Sequence, residues 1–167
     1  MSVIAAKVTD KEITIAADSI VTKGTLKRTN FAKLHKINNM IAGGCGNAEE
    51  LSIFFEYLAE HKPESATKKQ VRRFLQRFSE YKSDYTNEPD IENCYLIVFE
   101  GHLFETDGMF VQEITNYTAI GEGEAYALAA LHLGHSCVEA VKTSCDLCCF
   151  TSEPIIHYYI KKEGTNE

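Results

Sequence analysis

The chain has 167 residues, which is enough for one domain with a substantial hydrophobic core. Hydrophobic residues make up 44% of it and charged residues 25%, a balance that excludes disorder over most of its length. The formal net charge of −7 argues against nucleic acid as a partner, because a phosphate-binding face needs concentrated Lys and Arg. We expect a single domain over residues 1–167, with a frayed polar tail at 161–167.

The N-terminus lacks the charged segment and long apolar core of a secretory signal. No apolar run approaches the roughly 20 residues of a transmembrane helix, so we expect a cytoplasmic protein without a membrane partner. Its six cysteines are therefore expected to be reduced thiols.

The first half of the chain is predicted to place short strands before two helices. Asn47 is a good N-cap for the first helix, and Glu49 and Glu50 suit its first turn. The predicted elements are a hairpin of residues 3–8 and 13–17, a loop at 20–30, a strand at 33–37, residues 40–42 leading into a glycine-rich bend at 43–46, a helix from 47 and a helix at 64–81.

The second half repeats this order. A near-continuous apolar run at residues 94–99 is typical of a strand covered on both faces. Ser136 and Glu139 form a capping box that opens the fourth helix. The predicted elements are a strand at 94–99, short strands between 103 and 120, helices at 124–133 and 136–144, and closing strands at 147–150 and 155–160.

Strands, two helices, strands, two helices and strands do not form the regular alternation of a parallel α/β protein. The order predicts an α+β protein in which two antiparallel sheets lie between two layers of helices, a four-layer α/β/β/α sandwich.

Four features along the chain suggest chemistry at its N-terminus. Ser2 follows the initiator Met, Asp18 closes the first hairpin, Lys33 begins the next strand, and the glycines at 43–46 open a helix. Taken singly, each has an ordinary structural explanation. Ser2 could be a small residue that permits Met removal, Asp18 a turn residue and Lys33 a surface charge. The glycines could form an ordinary strand-to-helix turn.

Together the four features describe a way to hydrolyse an amide. A Ser hydroxyl needs a base, and a chain that begins with Ser carries one, because a free α-amine has a pKa of roughly 7.7–8.0. A nearby Lys ammonium would favour the neutral amine by like-charge repulsion, and an Asp would hold that Lys in place and keep it charged. Backbone N–H groups at the bend would face the developing oxyanion. This mechanism needs no metal and no organic cofactor.

The same segments resemble the β subunits of the proteasome and their bacterial homologue HslV, which are N-terminal-nucleophile hydrolases. The resemblance extends from residue 2 to about residue 160. It favours the HslV branch, with a more distant bacterial or viral relative as the alternative. It rests on Ile13-Thr-Ile-Ala-Ala-Asp18 near the start, residues 31–37 as the catalytic-lysine strand, residues 40–51 as the bend into the first helix, Ile120-Gly-Glu-Gly123 before the third helix and Cys145-Asp-Leu-Cys-Cys-Phe-Thr151 near the end.

The resemblance implies a role for each matching residue. Ser2 takes the place of the nucleophile, and its α-amine the place of the base. The other matches are Lys33 and Asp18 as the ion pair that tunes them, Gly46 as the oxyanion-hole glycine with Gly43 as the rival assignment, and Asp146 as the acidic residue that supports the N-terminus.

Two positions depart from the family pattern. Ser2 stands where Thr is usual and lacks the methyl group that helps to fix the rotamer, so we expect slower turnover. Glu122 stands where the family places a Ser near the terminal amine. A carboxylate there would raise the pKa of the amine and weaken the base.

The resemblance also implies an assembly and partners. We expect a homo-oligomer of stacked six- or seven-membered rings that encloses the sites, takes polypeptide substrates and works with an ATP-dependent unfoldase. The alternative is a catalytically silent ring or scaffold subunit on the same fold. Retention of Met1 would produce it, because the Ser2 nitrogen would then be an amide.

Three other patterns have structural interpretations that we favour. Cys145 and Cys148 have the spacing of half a zinc or redox site, but no second pair exists and an apolar run follows. Gly121 and Gly123 lack the third small residue of a dinucleotide fingerprint. The six histidines have no metal-binding spacing.

One basic cluster needs a separate interpretation because it could suggest nucleic acid. It lies within an amphipathic helical pattern, so we expect a solvated helix face or a subunit contact. Its members are Lys68, Lys69, Arg72, Arg73 and Arg77.

Overall fold

A computed structural model describes residues 2–23 and 26–162. The strands in this part of the chain are β1 Ile4–Val8, β2 Glu12–Ala17, β3 Val21–Lys23, β4 Leu26–Arg28, β5 Leu34–Ile37, β6 Met40–Cys45, β7 Cys94–Phe99, β8 His102–Asp107, β9 Phe110–Ile114, β10 Tyr117–Ile120 and β11 Ile156–Lys161. The helices are α1 Ala48–Glu60, α2 Lys68–Thr86, α3 Glu124–His132 and α4 Cys137–Leu147.

Two antiparallel sheets form the centre of the molecule. One has the strand order β10-β1-β2-β11 and the other β5-β6-β7-β8-β9. The hairpin predicted from the first residues is confirmed, with Ile4 opposite Ala17. Asn38 and Asn39 both adopt positive φ in the tight turn between β5 and β6, a conformation that Asn tolerates better than most residues.

The alternation along β7 explains how the layers stack. Leu96 and Val98 lie in the core between the two sheets, whereas Tyr95 and Ile97 lie in the core under α1 and α2. On the other side, the small residues of β1 and β2 pack against α3 and α4. The predicted four-layer α/β/β/α sandwich is therefore confirmed.

The prediction of a loop at residues 20–30 is wrong. Val21–Lys23 pairs with Leu26–Arg28 in a small hairpin of its own. The described residues of β4 are all exposed, so backbone hydrogen bonds rather than a buried face stabilise it. Such a strand leaves no hydrophobic alternation to detect in the sequence.

The bend predicted at residues 43–46 is confined to its last residue. Strand β6 continues through Gly43 and Gly44 to Cys45, and only Gly46 has a positive φ, of 137°. A Cβ on Gly43 would collide with Leu34 and meet the Lys33 carbonyl at 2.5 Å. The two glycines therefore permit close strand packing and do not form a turn.

The second helix is shifted from its predicted position at 64–81. The Thr67 hydroxyl accepts a hydrogen bond from Gln70 N, so α2 begins at Lys68. It continues to Thr86 and ends at Asn87, which adopts the left-handed conformation. The Thr67 side chain sets the start of the helix, and the left-handed backbone of Asn87, whose N–H donates to Ser83 O, sets its end. The apolar stripe in the sequence marks neither end.

The closing strand predicted at 147–150 is also wrong. Helix α4 extends to Leu147, and the Thr151 hydroxyl donates to the carbonyls of Ser144 and Cys148 at its end. The predicted frayed tail is wrong at its start, because Lys161 belongs to β11 and Lys162 N donates to Lys11 O at 2.9 Å. Its remainder, residues 163–167, lies outside the described residues.

All six cysteines are free. Within residues 2–23 and 26–162, none of the helices combines the length and apolar character needed to cross a membrane.

Candidate active site

A buried ion pair joins the first hairpin to the second sheet. Asp18 follows the last residue of β2, and Lys33 precedes the first residue of β5. Lys33 Nζ lies 2.6 Å from Asp18 Oδ1, and the two residues are 2% and 0% exposed. A charge so deeply buried needs a partner, and removing one member of such a pair typically destabilises a protein by about 3–5 kcal/mol.

Asp18 also holds the backbone that follows Ser2. Val3 N donates to the same Oδ1 at 2.9 Å, and Ile20 N and Ser152 N donate to Oδ2 at 3.3 Å. Because Val3 N and Lys33 Nζ share one oxygen atom, the Lys33 ammonium lies beside the N-terminal strand. The sequence-predicted residues Ser2, Asp18 and Lys33 are thus brought together.

Burial lowers the pKa of Lys33 below its usual value, although the charge and hydrogen bond of Asp18 oppose the shift. Lys33 therefore releases a proton more readily than a surface lysine. A buried lysine beside the N-terminal strand is therefore placed to influence an ionisable neighbour.

The loop between β10 and α3 fixes Ser2 from the other side. Gly123 N donates to Ser2 O at 3.1 Å. Gly121 has a φ of 97°, and a Cβ at this position would collide with the same carbonyl oxygen. The Ser144 hydroxyl donates to Gly123 O at 2.8 Å, which ties this loop to α4. The two glycines therefore allow a close approach of the loop to Ser2.

Ser2, Lys33 and Gly46 line one cavity of about 120 Å³. Its apolar wall comes from Ile20, Val21, Phe31, Ala48 and Leu51. The arrangement combines a hydroxyl, a buried cation and a glycine at one opening, with space for a side chain beside them.

Gly46 and Gly43 occupy different environments. Gly46 lies at the cavity, whereas Gly43 is buried in β6 against the Lys33 carbonyl. The position of Gly46 favours it over Gly43 as the oxyanion-hole residue, and that role stays a prediction.

Glu122 and Asp146 are both exposed. Glu122 lies between the two glycines that contact Ser2, and it lines an open cleft of about 470 Å³ with Cys45 and Gly46. Asp146 is the penultimate residue of α4. Its exposed side chain is unlike the buried Asp18, and its support of the N-terminus stays a prediction.

Two residues near the site were missed in the sequence. Cys45 is buried, and its Sγ donates to Ile120 O at 3.7 Å. Burial raises its pKa to about 12, so it is a neutral thiol. Its only sequence signal is its position within the glycine-rich segment. Asn93 packs against Gly46 but lies far away in sequence, and no local pattern marks it.

A larger cavity of about 770 Å³ lies elsewhere and is lined by Lys36, Lys62, Glu100, Lys161 and other residues. None of the predicted site residues lines it. We assign the candidate site to the smaller cavity because the reactive side chains converge there.

The proteasome subunit family model matches residues 1–143, and the chain belongs to this family. Among curated protein sequences, none matches the chain.

Solved structures with the same fold cover almost the whole chain. Thiobacillus denitrificans BPH in complex with epoxomicin has a TM-score of 0.87 at 19% identity, over 97% of this chain and 100% of that one. A second structure of Thiobacillus denitrificans BPH has a TM-score of 0.86 at 19% identity, over 96% of this chain and 98% of that one. Eukaryotic HslV from Trypanosoma brucei has a TM-score of 0.70 at 19% identity, over 95% of this chain and 99% of that one. The fold is that of the N-terminal-nucleophile hydrolases.

Proposed function

We propose that this chain is a peptidase whose nucleophile is the Ser2 hydroxyl, with the Ser2 α-amine exposed by removal of Met1. The observation that carries the proposal is the shared oxygen of Asp18, which binds both Lys33 Nζ and the Val3 N–H next to Ser2. Membership of the proteasome subunit family supports the same conclusion.

The proposed reaction begins with attack of Ser2 Oγ on the carbonyl carbon of a peptide bond. The α-amine takes the hydroxyl proton and later gives it to the leaving amine, so an ester to Ser2 forms as the peptide bond breaks. Water then hydrolyses this ester and regenerates the hydroxyl. The Lys33 ammonium favours the neutral amine by charge repulsion.

In this proposal the Gly46 N–H stabilises the oxyanion that forms during attack. Removal of one such donor typically lowers the rate by about two to three orders of magnitude. The small apolar cavity beside Ser2 would receive one apolar side chain of the substrate, next to the cleaved bond. A cavity of this volume favours modest selectivity among polypeptides.

We further propose that the chain forms homo-oligomeric rings in the cytoplasm and receives unfolded polypeptides from an ATP-dependent unfoldase. Five of the ten large apolar side chains that are exposed among the described residues lie on or just after α3 and α4, as expected for a surface that is covered in an assembly. They are Tyr126, Leu133, Val138, Leu147 and, just beyond α4, Phe150. Sedimentation as a monomer at micromolar concentration would contradict this assembly.

The test is hydrolysis of fluorogenic peptides by the untagged protein and by its serine variants. We expect Ser2→Ala to abolish hydrolysis and Ser2→Thr to retain it, because Thr keeps the hydroxyl. Ser136→Ala is the matched control, since Ser136 only caps α4. A variant Ser2→Ala that is as active as the wild type would refute the assigned nucleophile.

The silent ring subunit makes a different prediction in the same experiment. Rings would form, but neither the wild type nor any Ser2 variant would hydrolyse peptides. Glu122 beside the Ser2 backbone is the observation that favours this second function, because its carboxylate would hold the amine protonated.

A further inference from the structure

One buried side chain holds the backbone on both sides of the Asn47 residue. Asn93 is fully buried just before β7. Its Oδ1 accepts from Asn47 N at 2.5 Å, and its Nδ2 donates to Asn47 O at 2.9 Å. A single amide group therefore replaces the neighbouring strand that the chain loses where β6 ends.

Asn93 also packs directly on Gly46. A Cβ added to Gly46 would collide with Asn93 Oδ1 and would lie 3.3 Å from Asn93 Cα. Together with the positive φ of Gly46, this contact leaves the peptide between Gly46 and Asn47 little freedom to rotate. Asn93 therefore fixes the orientation of the Gly46 backbone at the cavity.

A second buried ion pair anchors Asn93 in turn. Glu50 Oε1 accepts from Asn93 N at 3.0 Å and from the Tyr95 hydroxyl at 2.8 Å. Glu50 Oε2 lies 2.8 Å from Lys82 Nζ and accepts from Glu92 N at 3.0 Å. Glu50 and Lys82 are only 2% and 4% exposed.

The Glu50–Lys82 pair joins two helices and also holds the segment that contains Asn93. Glu50 lies in the first turn of α1, Lys82 lies in α2, and the hydrogen bonds of the carboxylate converge on residues 92, 93 and 95. Buried ion pairs rarely add net stability, but they can specify one conformation where a hydrophobic contact would permit several.

We propose that Asn93 is a positioning residue that orients Gly46 for oxyanion binding, with the Glu50–Lys82 pair as its anchor. The inference rests on the proposed function, because it assigns Asn93 to the reaction carried out at Ser2. Asn93 does not touch substrate in this proposal. It acts on the Gly46 N–H indirectly, by packing on Gly46 and by holding the Asn47 backbone that follows it.

The main test compares steady-state kinetics of peptide hydrolysis by the wild-type ring and by Asn93→Ala. Loss of oxyanion stabilisation should lower kcat by about 10- to 100-fold, less than complete removal of a donor, while KM changes by less than about twofold. Asn93→Ser is the second variant, because its neutral hydroxyl buries no charge and offers an acceptor for Asn47 N but no donor for Asn47 O. It should fold even if the Ala variant does not, with kcat lowered at least about threefold.

Tyr57→Phe is the matched control for a purely structural effect. It removes a buried hydrogen bond from the Tyr57 hydroxyl to Phe74 O between the same two helices, without connection to Gly46. It should lower the melting temperature and leave kcat unchanged. If it lowers kcat as much as Asn93→Ala does, or if both folded Asn93 variants keep the wild-type kcat, the positioning role is refuted.

A second readout separates this inference from the proposed function. Hydrogen exchange of the peptide that spans Gly46 and Asn47 should accelerate about 10-fold or more in Asn93→Ala, because the Asn47 N–H loses its acceptor. The acceleration should be smaller in the second Asn93 variant, which keeps an acceptor for this N–H, and absent in Tyr57→Phe. If the wild type lacks Ser2-dependent hydrolysis but exchange still accelerates, the proposed function fails and the backbone clamp stands. Unchanged exchange in the folded variants overturns the clamp whatever the activity.

Discussion

Among residues 2–23 and 26–162, two pairs of a carboxylate and a lysine are buried, and they differ in their surroundings and in the pKa shifts of their members. Asp18–Lys33 lies beside Ser2 at the cavity, whereas Glu50–Lys82 lies behind the bend that carries Gly46. The distances are similar, at 2.6 and 2.8 Å, and all four residues are at least 96% buried.

The balance between burial and hydrogen bonding differs at Lys33 and at Glu50. At Asp18–Lys33, burial dominates and lowers the pKa of the lysine. At Glu50–Lys82, burial alone would raise the pKa of the carboxyl, but hydrogen bonds from Lys82, Glu92, Tyr95 and Asn93 bring it below its usual value. The first pair is suited to tune a neighbouring proton, and the second is suited to fix a conformation.

The largest expected effect is that of the first pair on catalysis. Lys33→Ala should lower peptide hydrolysis by about 10²- to 10⁴-fold, the usual contribution of acid–base assistance, while rings still form. The measurement is kcat/KM with fluorogenic peptides, together with sedimentation.

Because Lys33→Ala leaves Asp18 buried and unpaired, a neutral replacement of both residues is the matched control. Asp18→Asn combined with Lys33→Met removes both charges but keeps only one oxygen for the backbone N–H groups that Asp18 binds. It should fold with a lower melting temperature than the wild type, form rings and lack activity. Full activity in either variant would remove Lys33 from the mechanism.

Neutralising the second pair should have a smaller effect. Glu50→Gln combined with Lys82→Met keeps the packing but weakens the anchor of Asn93, so we expect kcat to fall by about tenfold with KM unchanged. If activity is lost as completely as in the Asp18 and Lys33 double variant, the two pairs do not differ in role: the first would not be distinguished by tuning a proton, nor the second by fixing a conformation.

Glu122 allows a direct test of how a nearby charge changes the pKa of the Ser2 α-amine. Removing the exposed carboxylate with Glu122→Ser should lower the pKa of the Ser2 amine and raise kcat/KM at pH 7 by roughly threefold, since one pKa unit would give up to tenfold. Glu124→Gln, a change at a neighbouring exposed carboxylate, serves as the comparison. Equal rates for Glu122→Ser and the wild type would show that Glu122 does not influence the amine.

The smallest effect concerns stability as the pH falls. The pKa of folded Glu50 lies below its ordinary 4.5, so its stabilising contribution is present above pH 4.5 and is lost as the pH falls through the folded value. Thermal unfolding should therefore separate the wild type from Glu50→Gln by several degrees at pH 6, and the difference should narrow below pH 4.5. A difference that stays constant down to pH 3.5 would contradict the shift.

Much of the fold could be predicted because the apolar patterns are local. The run at residues 94–99 predicted a strand covered on both faces, and the capping box at Ser136 predicted where α4 begins. The failures fall where backbone pairing or capping decides the structure. The exposed hairpin of β3 and β4 and the continuation of β6 through its glycines are the clearest examples.

The two ion pairs show the same limit at the candidate site. Asp18 directly follows strand β2, and Lys33 directly precedes strand β5. Both lie in segments that resemble a known family, so their proximity could be predicted. For Glu50, the sequence indicates only an acidic residue in the first turn of a helix. Its partners Lys82 and Asn93 lie 32 and 43 residues away, and only the folded chain brings them together.

The most direct test of the central claim is the intact mass of the protein purified without an N-terminal tag. The account predicts a mass that lacks one methionine, which would leave Ser2 with a free α-amine able to act as the base. A mass that retains Met1 in rings that also fail to hydrolyse peptides would contradict the account and identify the chain as a silent subunit.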